Sequence, residues 1–258
     1  MLSQCRSFVR ARILDVLGYS ATPANGVHIL NGHRISLHNP NPQIFGNILT
    51  LLSKEVSFIR FEEAVELIKQ GKQVDSPLVA FSFDDGFEEC YTMIAPILEE
   101  FKTNAAFFIN PNFVSGDDAY IHDFTENIVL TPDKRPMRWP QILELQKKGH
   151  IIGAHTLDHY MINTNSEKDL DFQIGRCKTV IEEHTHESCN YFAFPYGRLE
   201  HASLASIEIA LKYYPYVFSQ SDYKKYYSFG GRVINRRHFE PDWPIKHINY
   251  FISHQKKY

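Results

Sequence analysis

The stretch LVAFSFDDGFE, at residues 78–88, decides the fold and carries the most unusual chemistry of the chain. Its first six residues are apolar or small and show no helical spacing, which is typical of a strand buried on both faces. Asp84 and Asp85 follow this strand directly. Two like charges at the edge of a core repel each other and resist desolvation, so they are stable there only if a cation neutralises one of them. The stretch therefore predicts a metal ion, with a calcium site or a capped helix start as the alternative interpretations, since Asp before Gly favours turns.

Length and composition describe an ordinary globular protein. The 258 residues suit one large domain or two small ones, and 43% of them are hydrophobic and 22% charged. A formal net charge of −3 argues against nucleic-acid binding, which usually requires a basic face. Four cysteines lie far apart without a CxxC pair, which favours reduced thiols over disulfides. We therefore expect a cytoplasmic protein with no nucleic-acid partner.

The N-terminal residues are expected to form a separate helix. No apolar run in them has the length of a signal peptide, and no segment of the chain approaches the ~18–20 apolar residues of a membrane span. The helix combines apolar and basic positions, namely Phe8, Ile13, Leu14 and Leu17 with Arg6, Arg10 and Arg12. Such a helix either packs on the domain or makes a peripheral membrane contact. We assign residues 1–20 to this helix and residues 21–258 to a single domain.

Apolar patterns typical of strands and helices alternate along the rest of the chain. Strands are predicted near residues 27–30, 56–59, 78–83, 105–109, 151–154, 191–194 and 216–219. Helical spacings between them predict a parallel sheet with helical crossovers, either closed as a barrel or open. Residues 110–136 show no regular pattern, and an Arg-rich turn is expected at residues 232–237. In a β/α barrel the strand ends meet on one face, so the polar groups that follow three strands should converge there: Asp84-Asp85-Gly86, His155 and Pro195-Tyr196-Gly197.

The segment GAHTLDH supplies the other candidate ligands. His155 and His159 are four residues apart, and on a helical turn both imidazoles would face the same ion. One Asp and two His leave coordination positions open for water, which is typical of a catalytic site rather than a structural one. Nitrogen and oxygen ligands without thiolate favour zinc, with cobalt, nickel or iron(II) as alternatives. One of the two acids would then bind the metal, while the other stays free to take a proton from water that attacks a carbonyl.

Several motifs at these positions resemble the polysaccharide deacetylase (NodB-homology) family, carbohydrate esterase family 4. The segment FSFDDG at residues 81–86 is similar to the first motif, TFDDG, with Ser in place of Thr. HTLDH at residues 155–159 matches the second motif, H-[ST]-x-x-H, and FAFPYG at residues 192–197 resembles the third. LNGHRI at residues 30–35 and MRW at residues 137–139 are similar to segments of one branch of the family. The resemblance covers almost the whole chain from about residue 26.

The resemblance implies a distorted, incomplete (β/α) barrel that removes an N-acyl group, acetyl or formyl, from an amino sugar. It assigns the metal ligands to Asp85, His155 and His159, and the catalytic base to Asp84. The backbone N–H of Tyr196, between Pro195 and Gly197, would help to hold the oxyanion of the tetrahedral intermediate.

The chain departs from the family pattern at three points. Ala193 stands where many members carry an Arg that orients the base, and an Arg at position 232, 236 or 237 could replace it. Neither a D-x-x-D-W segment nor the late motif with an apolar pair before His is clearly present. The general acid is therefore assigned first to His33, which ends a strand, and second to His238.

The expected substrate is a nucleotide-linked or lipid-linked precursor of a surface polysaccharide, since a free extracellular polymer does not suit a cytoplasmic enzyme. Two other functions stay open at this point. One is a catalytically inactive sugar-binding protein, and the other is metal-dependent hydrolysis of a non-sugar amide or cyclic imide. The oligomeric state is left open.

Overall fold

A computed structural model describes residues 2–37 and 40–258, with the side chains of the first helix described from Arg10 onward. The strands in these residues are β1 (Gly26–Gly32), β2 (Ser57–Phe58), β3 (Pro77–Phe83), β4 (Ala105–Ile109), β5 (Ile151–Ala154), β6 (Tyr191–Ala193), β7 (Tyr216–Ser219), β8 (Tyr227–Ser228), β9 (Val233–Asn235) and β10 (Arg237–His238). The α-helices are α1 (Leu2–Leu17), α2 (Pro42–Leu52), α3 (Phe61–Lys69), α4 (Ala95–Glu100), α5 (Pro111–Ser115), α6 (Asp118–Asp123), α7 (Trp139–Lys147), α8 (Glu167–Leu170), α9 (Arg176–Thr185), α10 (Leu204–Tyr213) and α11 (Ile245–Ile252).

The strands form one curled sheet in the order β10-β1-β3-β4-β5-β6-β7-β9-β8, with β2 beside β3. All of the pairs are parallel except β8 with β9. From β1 to β9 the strand order follows the chain without the reversal that defines an open doubly wound sheet. The architecture is therefore the distorted, incomplete (β/α) barrel that the sequence predicts.

A single residue connects the two edges of this curled sheet. β9 pairs with β7, whereas β10 pairs with β1 at the other end of the strand order. Arg236 lies between β9 and β10, and its backbone N–H donates to the carbonyl of Ser219, 2.8 Å away. Two short strands thus occupy the segment 232–237, where the sequence predicts a turn; their pairing partners are distant in the chain, so local patterning does not reveal them.

The two faces of the sheet belong to different parts of the core. Val79, Phe81 and Phe83 of β3 pack in the large cluster with α2 and α4, while Ala80 belongs to a second cluster that includes four residues of α3. This alternation explains why β3 reads as an unbroken apolar run, since both of its faces are covered. Only Ser82, near the carboxyl end of β3, breaks the run, and it is fully buried.

Two local predictions differ from the structure. Residues 110–136 contain α5, α6 and a π-helical turn at Phe124–Ile128, so much of the expected irregular segment is helical in pieces too short to show periodicity. The segment from His155 to His159 is not a helical turn but an irregular loop, with left-handed backbone at Thr156 (φ 63°) and His159 (φ 55°).

The N-terminal helix α1 lies against α11. Asp15 of α1 accepts from Lys246 at 2.7 Å and from His247 at 3.0 Å, which holds the two helices together. Ile13, Val16 and Leu17 of α1 remain exposed by 52%, 74% and 48%. The side chains of Cys5, Arg6 and Phe8, on which part of the sequence interpretation depends, lie outside the described side chains. Among the described helices, none is both long enough and apolar enough to cross a bilayer.

Candidate active site

A cavity of about 560 Å³ opens at the carboxyl ends of the strands. It brings together the sequence-predicted residues from five separate segments, namely His33, Asp84, Asp85, His155, His159, Tyr196 and His238. Among the described residues that line it, Pro195 and Gly197 do not appear, although they flank Tyr196 in the chain. The convergence of strand ends therefore places nearly all of the candidate site residues in one cavity.

Asp85, His155 and His159 form a buried group with the geometry of a metal site. The Asp85 Oδ1 atom lies 3.5 Å from His155 Nε2 and 3.4 Å from His159 Nε2. The three residues are exposed by only 4%, 2% and 8%, and their candidate ligand atoms lie within 4.8 Å of one another. A common point between these three atoms is therefore available to a single ion.

The hydrogen bonding around these three residues fits a bound cation. His155 Nδ1–H donates to the backbone carbonyl of Ala193, 2.7 Å away, so His155 Nε2 presents a lone pair toward Asp85 when the ring is neutral. Burial lowers the pKa of His155 and lowers that of His159 to about 4, which keeps both rings neutral. The buried Asp85 Oδ1 has no hydrogen-bond partner among the described residues. A His155 nitrogen that presents a lone pair toward a carboxylate oxygen without a hydrogen-bond partner fits a divalent metal ion shared between them.

The loop that carries both histidines is fixed by side chains from neighbouring segments. Asn110, directly after β4, donates to the carbonyls of His155 at 2.5 Å and Thr156 at 2.9 Å. Asp158 accepts from Asn112 and Tyr120 at 2.6 Å each. These bonds replace the backbone ladder of a helix, and so the two imidazoles converge although the expected helical turn is absent from residues 155–159.

Asp85 itself has a strained backbone. Its φ of 71° is left-handed, and Gly86, with φ 79°, follows in the same region. A Cβ atom at Gly86 would lie 3.0 Å from Ile109 Cγ2, so glycine is required there by both conformation and space. Strain of this kind persists where the surrounding structure fixes it, and here it turns the Asp85 carboxylate toward the two imidazoles.

The surroundings of Asp84 are the opposite of those of Asp85, because several N–H groups donate hydrogen bonds to its carboxylate. Arg236 donates to both of its oxygens, Nη1 to Oδ1 at 2.8 Å and Nη2 to Oδ2 at 2.9 Å. Asn31 Nδ2 and Gln220 Nε2 also donate to Oδ2, at 2.9 Å and 3.3 Å. Three donors therefore use Oδ2, whereas Oδ1 has one and keeps an acceptor position toward the cavity.

The charge of Arg236 controls the ionisation of Asp84. Burial alone would raise the pKa of Asp84, but the adjacent guanidinium and its hydrogen bonds hold that pKa well below the usual range. Arg236 is fully buried, and its guanidinium lies 4.8 Å from the centroid of the Phe108 ring. Of the three arginines that sequence reasoning offered as substitutes at Ala193, Arg236 is the one that reaches Asp84.

His33 and His238 share a carboxylate at the edge of the cavity. His33 Nδ1 lies 3.1 Å from Glu240 Oε1, and His238 Nε2 lies 3.6 Å from the same oxygen. Although burial opposes protonation, the charge and hydrogen bond of Glu240 raise the pKa of His33 to about 9. Burial and the charge of His33 lower the pKa of His238 to about 4. His33 is therefore the protonated member of this pair at neutral pH.

Tyr196 completes the cavity after β6. Its backbone is left-handed, with φ 63°, and its ring lies 4.6 Å from the ring of His159. The side chain is 42% exposed, so it forms part of the wall rather than the core.

Three residues of the site are missing from the sequence prediction: Asn31, Gln220 and Glu240. Asn31 lies near the carboxyl end of β1 and is buried against Asp84, whereas Gln220 directly follows β7 and lines the cavity. Position at a strand end could therefore have identified both. Glu240 follows β10, whose existence depends on pairing with β1, and no local signal marks it.

Comparisons with known proteins agree with this arrangement. A family model described as polysaccharide deacetylase matches residues 71–213. YxkH of Bacillus subtilis (strain 168), whose name places it among the polysaccharide deacetylases, is 22% identical over 184 residues, which cover 70% of this chain and 60% of YxkH. A peptidoglycan-N-acetylglucosamine deacetylase of Bacillus cereus is 27% identical over 111 residues, or 43% of this chain and 42% of that protein. The matches thus span less than two thirds of the length of these curated relatives.

Solved structures show the same fold. The structure of IcaB from Ammonifex degensii superposes with a TM-score of 0.71 at 21% identity and covers 91% of this chain and 100% of its own. The Streptococcus pyogenes deacetylase PplD, solved in complex with acetate, superposes with a TM-score of 0.67 at 18% identity over 88% of this chain and 97% of its own.

Proposed function

The chain belongs to the polysaccharide deacetylase family, and from this premise we propose that it is a metal-dependent hydrolase that removes an N-acyl group, acetyl or formyl, from an amino sugar. The observation that carries the proposal is the contrast between the two neighbouring acids. Asp85 faces two neutral imidazoles with an unpartnered oxygen, while Asp84 is held ionised by Arg236. A ligand carboxylate beside a free basic carboxylate is what hydrolysis by an activated water requires.

Deacetylases of this family are generally metal-dependent, and Asp85, His155 and His159 would hold the ion here. Two imidazole nitrogens and one carboxylate oxygen favour zinc, with cobalt, nickel or iron as alternatives. When bound, a divalent ion supplies a Lewis acid that polarises an acyl carbonyl and lowers the pKa of water to about 7. The orientation of His155 by the Ala193 carbonyl supports its role as a ligand, because the second ring nitrogen is thereby fixed.

Asp84 is proposed as the general base. Its Oδ1 keeps one acceptor position toward the cavity, where it can take a proton from water during attack on the acyl carbon. Arg236, Asn31 and Gln220 fix the carboxylate in a single orientation. Arg236 would thus perform the orienting role that Ala193 cannot.

His33 is proposed as the general acid that protonates the departing amine. Its ion pair with Glu240 supports this role, because it keeps a proton on the ring at neutral pH. His238, the second candidate, is neutral under the same conditions and is therefore less suited to donate. The backbone N–H of Tyr196, flanked by Pro195 and Gly197, is proposed to stabilise the oxyanion. The products are a carboxylic acid and a free amino sugar.

We further propose a cytoplasmic enzyme that acts on a nucleotide-linked or lipid-linked precursor of a surface polysaccharide. The free, buried thiols of Cys90, Cys177 and Cys189 support a reducing compartment. The exposed apolar residues of α1 support a peripheral membrane contact by this helix, as a lipid-linked substrate would require.

A panel of substrates tests the proposed function. The purified chain, loaded in turn with zinc, cobalt, nickel or iron(II), is incubated with N-acetyl and N-formyl amino sugars, free and phosphate-linked, and released acetate or formate is measured. We expect release from at least one sugar substrate. Binding of the sugars without release from any of them would instead identify a sugar-binding protein, and hydrolysis of a cyclic imide alone would identify an amide hydrolase of another class.

A further inference from the structure

The charged side chains that line the active-site cavity are not balanced. Its lining includes the arginines Arg10, Arg34, Arg198 and Arg237 and the acids Asp84, Asp85 and Glu240. Asp84 is paired with Arg236, and Asp85 faces the proposed metal. Glu240 lies 3.1 Å from His33 and 3.9 Å from Arg34. Each acid of the lining thus already has a positively charged partner or faces the proposed metal, and some of the lining arginines have no acidic partner among the described residues.

Arg237 carries much of this excess. Its guanidinium carbon lies 3.3 Å from the ring centroid of Phe251 and 4.6 Å from that of Tyr223. Its Nε is buried without a hydrogen-bond partner, and no carboxylate among the described residues forms a salt bridge with it. Burial and the nearby charge of Arg10 lower the pKa of Arg237 to about 10, so it remains a cation at neutral pH.

Arg10 of α1 lies beside Arg237. Its guanidinium carbon is 5.9 Å from the centroid of the same Phe251 ring and 5.7 Å from that of Trp243. Within residues 2–37 and 40–258, no acid pairs with Arg10 either, whereas Arg198 has Glu200 at 3.6 Å. Two neighbouring cations held by aromatic rings repel each other unless an anion lies between them.

We infer that Arg10 and Arg237 form a phosphate-binding subsite of the active-site cavity, so that the substrate is an N-acyl amino sugar whose linkage carries a phosphate. Two guanidinium groups match a phosphate dianion, because each offers parallel N–H donors to its oxygens. Arg237 follows Arg236, which holds Asp84, so the subsite lies one residue along the chain from the partner of the proposed base. This inference rests on the proposed function and adds the group that its substrate must carry.

Matched substrates and matched variants test the subsite. The substrates are one N-acyl amino sugar as its methyl glycoside, as its 1-phosphate, as a nucleoside diphosphate conjugate and as a short prenyl phosphate conjugate. Arg237→Gln and Arg10→Gln remove the proposed contacts. Arg232→Gln and Arg12→Gln are the controls, since they remove the same charge from the same segments but from arginines paired with Glu208 and Asp15.

The expected result is a wild-type kcat/KM at least tenfold higher for a phosphate-linked substrate than for the glycoside. Each test variant should reduce that ratio at least fivefold, while the controls keep it. The faster of the two conjugates then identifies the source of the phosphate, nucleotide or lipid. Equal losses on neutral and phosphate-linked substrates, or a wild-type chain that does not prefer any phosphate-linked substrate over the glycoside, would overturn the subsite and leave the deacylase intact.

A binding measurement keeps the subsite testable if no substrate is hydrolysed. Binding of the nucleoside diphosphate conjugate is measured by calorimetry in the metal-loaded Asp84→Asn chain, which should bind but not hydrolyse it. In this background, Arg237→Gln should weaken binding about tenfold. Arg237→Lys, which retains the charge, should weaken binding by less than Arg237→Gln does. Circular dichroism confirms that each variant is folded, and Arg10→Gln, at an exposed position, repeats the test where folding is not at risk. Unchanged binding in both variants would refute the inference.

Discussion

Two adjacent residues of the same type have opposite surroundings in this site. The oxygens of Asp84 accept hydrogen bonds from several N–H donors, while Asp85 Oδ1 has no hydrogen-bond partner among the described residues and lies 3.5 Å and 3.4 Å from Nε2 of His155 and His159. The difference arises at a single peptide, because Asp85 adopts a left-handed backbone that turns its side chain away from Arg236. At this scale the chemistry follows from which neighbour each carboxylate meets, and it can be tested one residue at a time.

The substitution Asp84→Asn should separate metal binding from turnover. We expect the variant to retain its metal and to lose kcat by about 10²- to 10⁴-fold, because the amide cannot accept the proton. Metal content by plasma mass spectrometry and kcat on the same preparation check this. Asp85→Ala is the matched comparison and should lose both the metal and the activity. Loss of metal from Asp84→Asn would show that the roles of the two acids are reversed.

The proposed acid predicts the alkaline limb of the pH profile. Because the pKa of His33 is raised to about 9, the ring keeps its proton at neutral pH, and kcat/KM should fall as the pH rises through that value. Glu240→Gln removes the carboxylate that raises this pKa, so the fall should move to lower pH. His238→Gln should leave the position of the limb unchanged. A limb that survives His33→Gln and disappears in His238→Gln would reverse the assignment.

The proposed ligands and the proposed base could be selected from the sequence because they follow strand ends in recognisable motifs. The assumption of a helical turn at residues 155–159 is wrong, yet the rings converge, since spacing alone does not distinguish a helix from a loop held by Asn110 and Asp158. Arg236 could not be chosen among its neighbours for a different reason. Its contact with Asp84 spans 152 residues of sequence and depends on how the sheet curls.

At the scale of elements, the segment from β9 to β10 contributes most to the site, because it positions Arg236. It pairs with opposite edges of the sheet on either side of Arg236 and places that residue in the barrel interior between Asn31, Ser82 and Asp84. The sequence predicts a turn here because each strand has only two or three residues. Strands this short have no detectable period, and only long-range pairing defines them.

Removal of the buried cation in this segment should destabilise the fold. Arg236→Met leaves the Asp84 charge buried and unpaired, which costs about 3–5 kcal/mol in the free energy of unfolding at pH 7. The pair stabilises above the unfolded pKa of Asp, about 3.9, because Asp84 has a depressed pKa, and this contribution is lost as the pH falls. Denaturant unfolding measures the loss.

The double variant Asp84→Asn/Arg236→Met provides the control for this loss. With no carboxylate left to pair, it should recover part of the stability lost in Arg236→Met. Additive losses in the double variant would show that the two side chains do not stabilise each other.

At the scale of the whole molecule, alternation of strands and helices predicts a parallel sheet whose strand ends collect on one face, because parallel strands require crossovers. The choice of an incomplete barrel over an open sheet came from the family resemblance. The cavity wall was less predictable. Its lining residues come from segments as distant in the chain as α1 and the region after β10. Residues such as Arg10 and Glu240 reach the cavity through tertiary packing, which local sequence patterns do not predict.

Occupation of the metal site should stabilise the entire fold. An ion at about 100 times its dissociation constant contributes about 2.7 kcal/mol, which corresponds to roughly 5–10 °C in Tm for a chain of this size. We therefore expect chelation to lower Tm by that amount and added zinc to restore it, as measured by scanning calorimetry. Asp85→Ala should show no response to either treatment. A wild-type Tm that does not respond to metal or chelator would argue against a site at these residues.

Because Arg236 alone connects β9 with β10, folding of this segment also determines whether the proposed active site is complete. Consider a folding intermediate in which the other strands have formed but β9 and β10 have not yet paired with β7 and β1. In this intermediate Arg236 would not contact Asp84, and we expect no catalysis. During refolding, catalysis should therefore appear only when β9 and β10 pair with β7 and β1, later than most of the secondary structure.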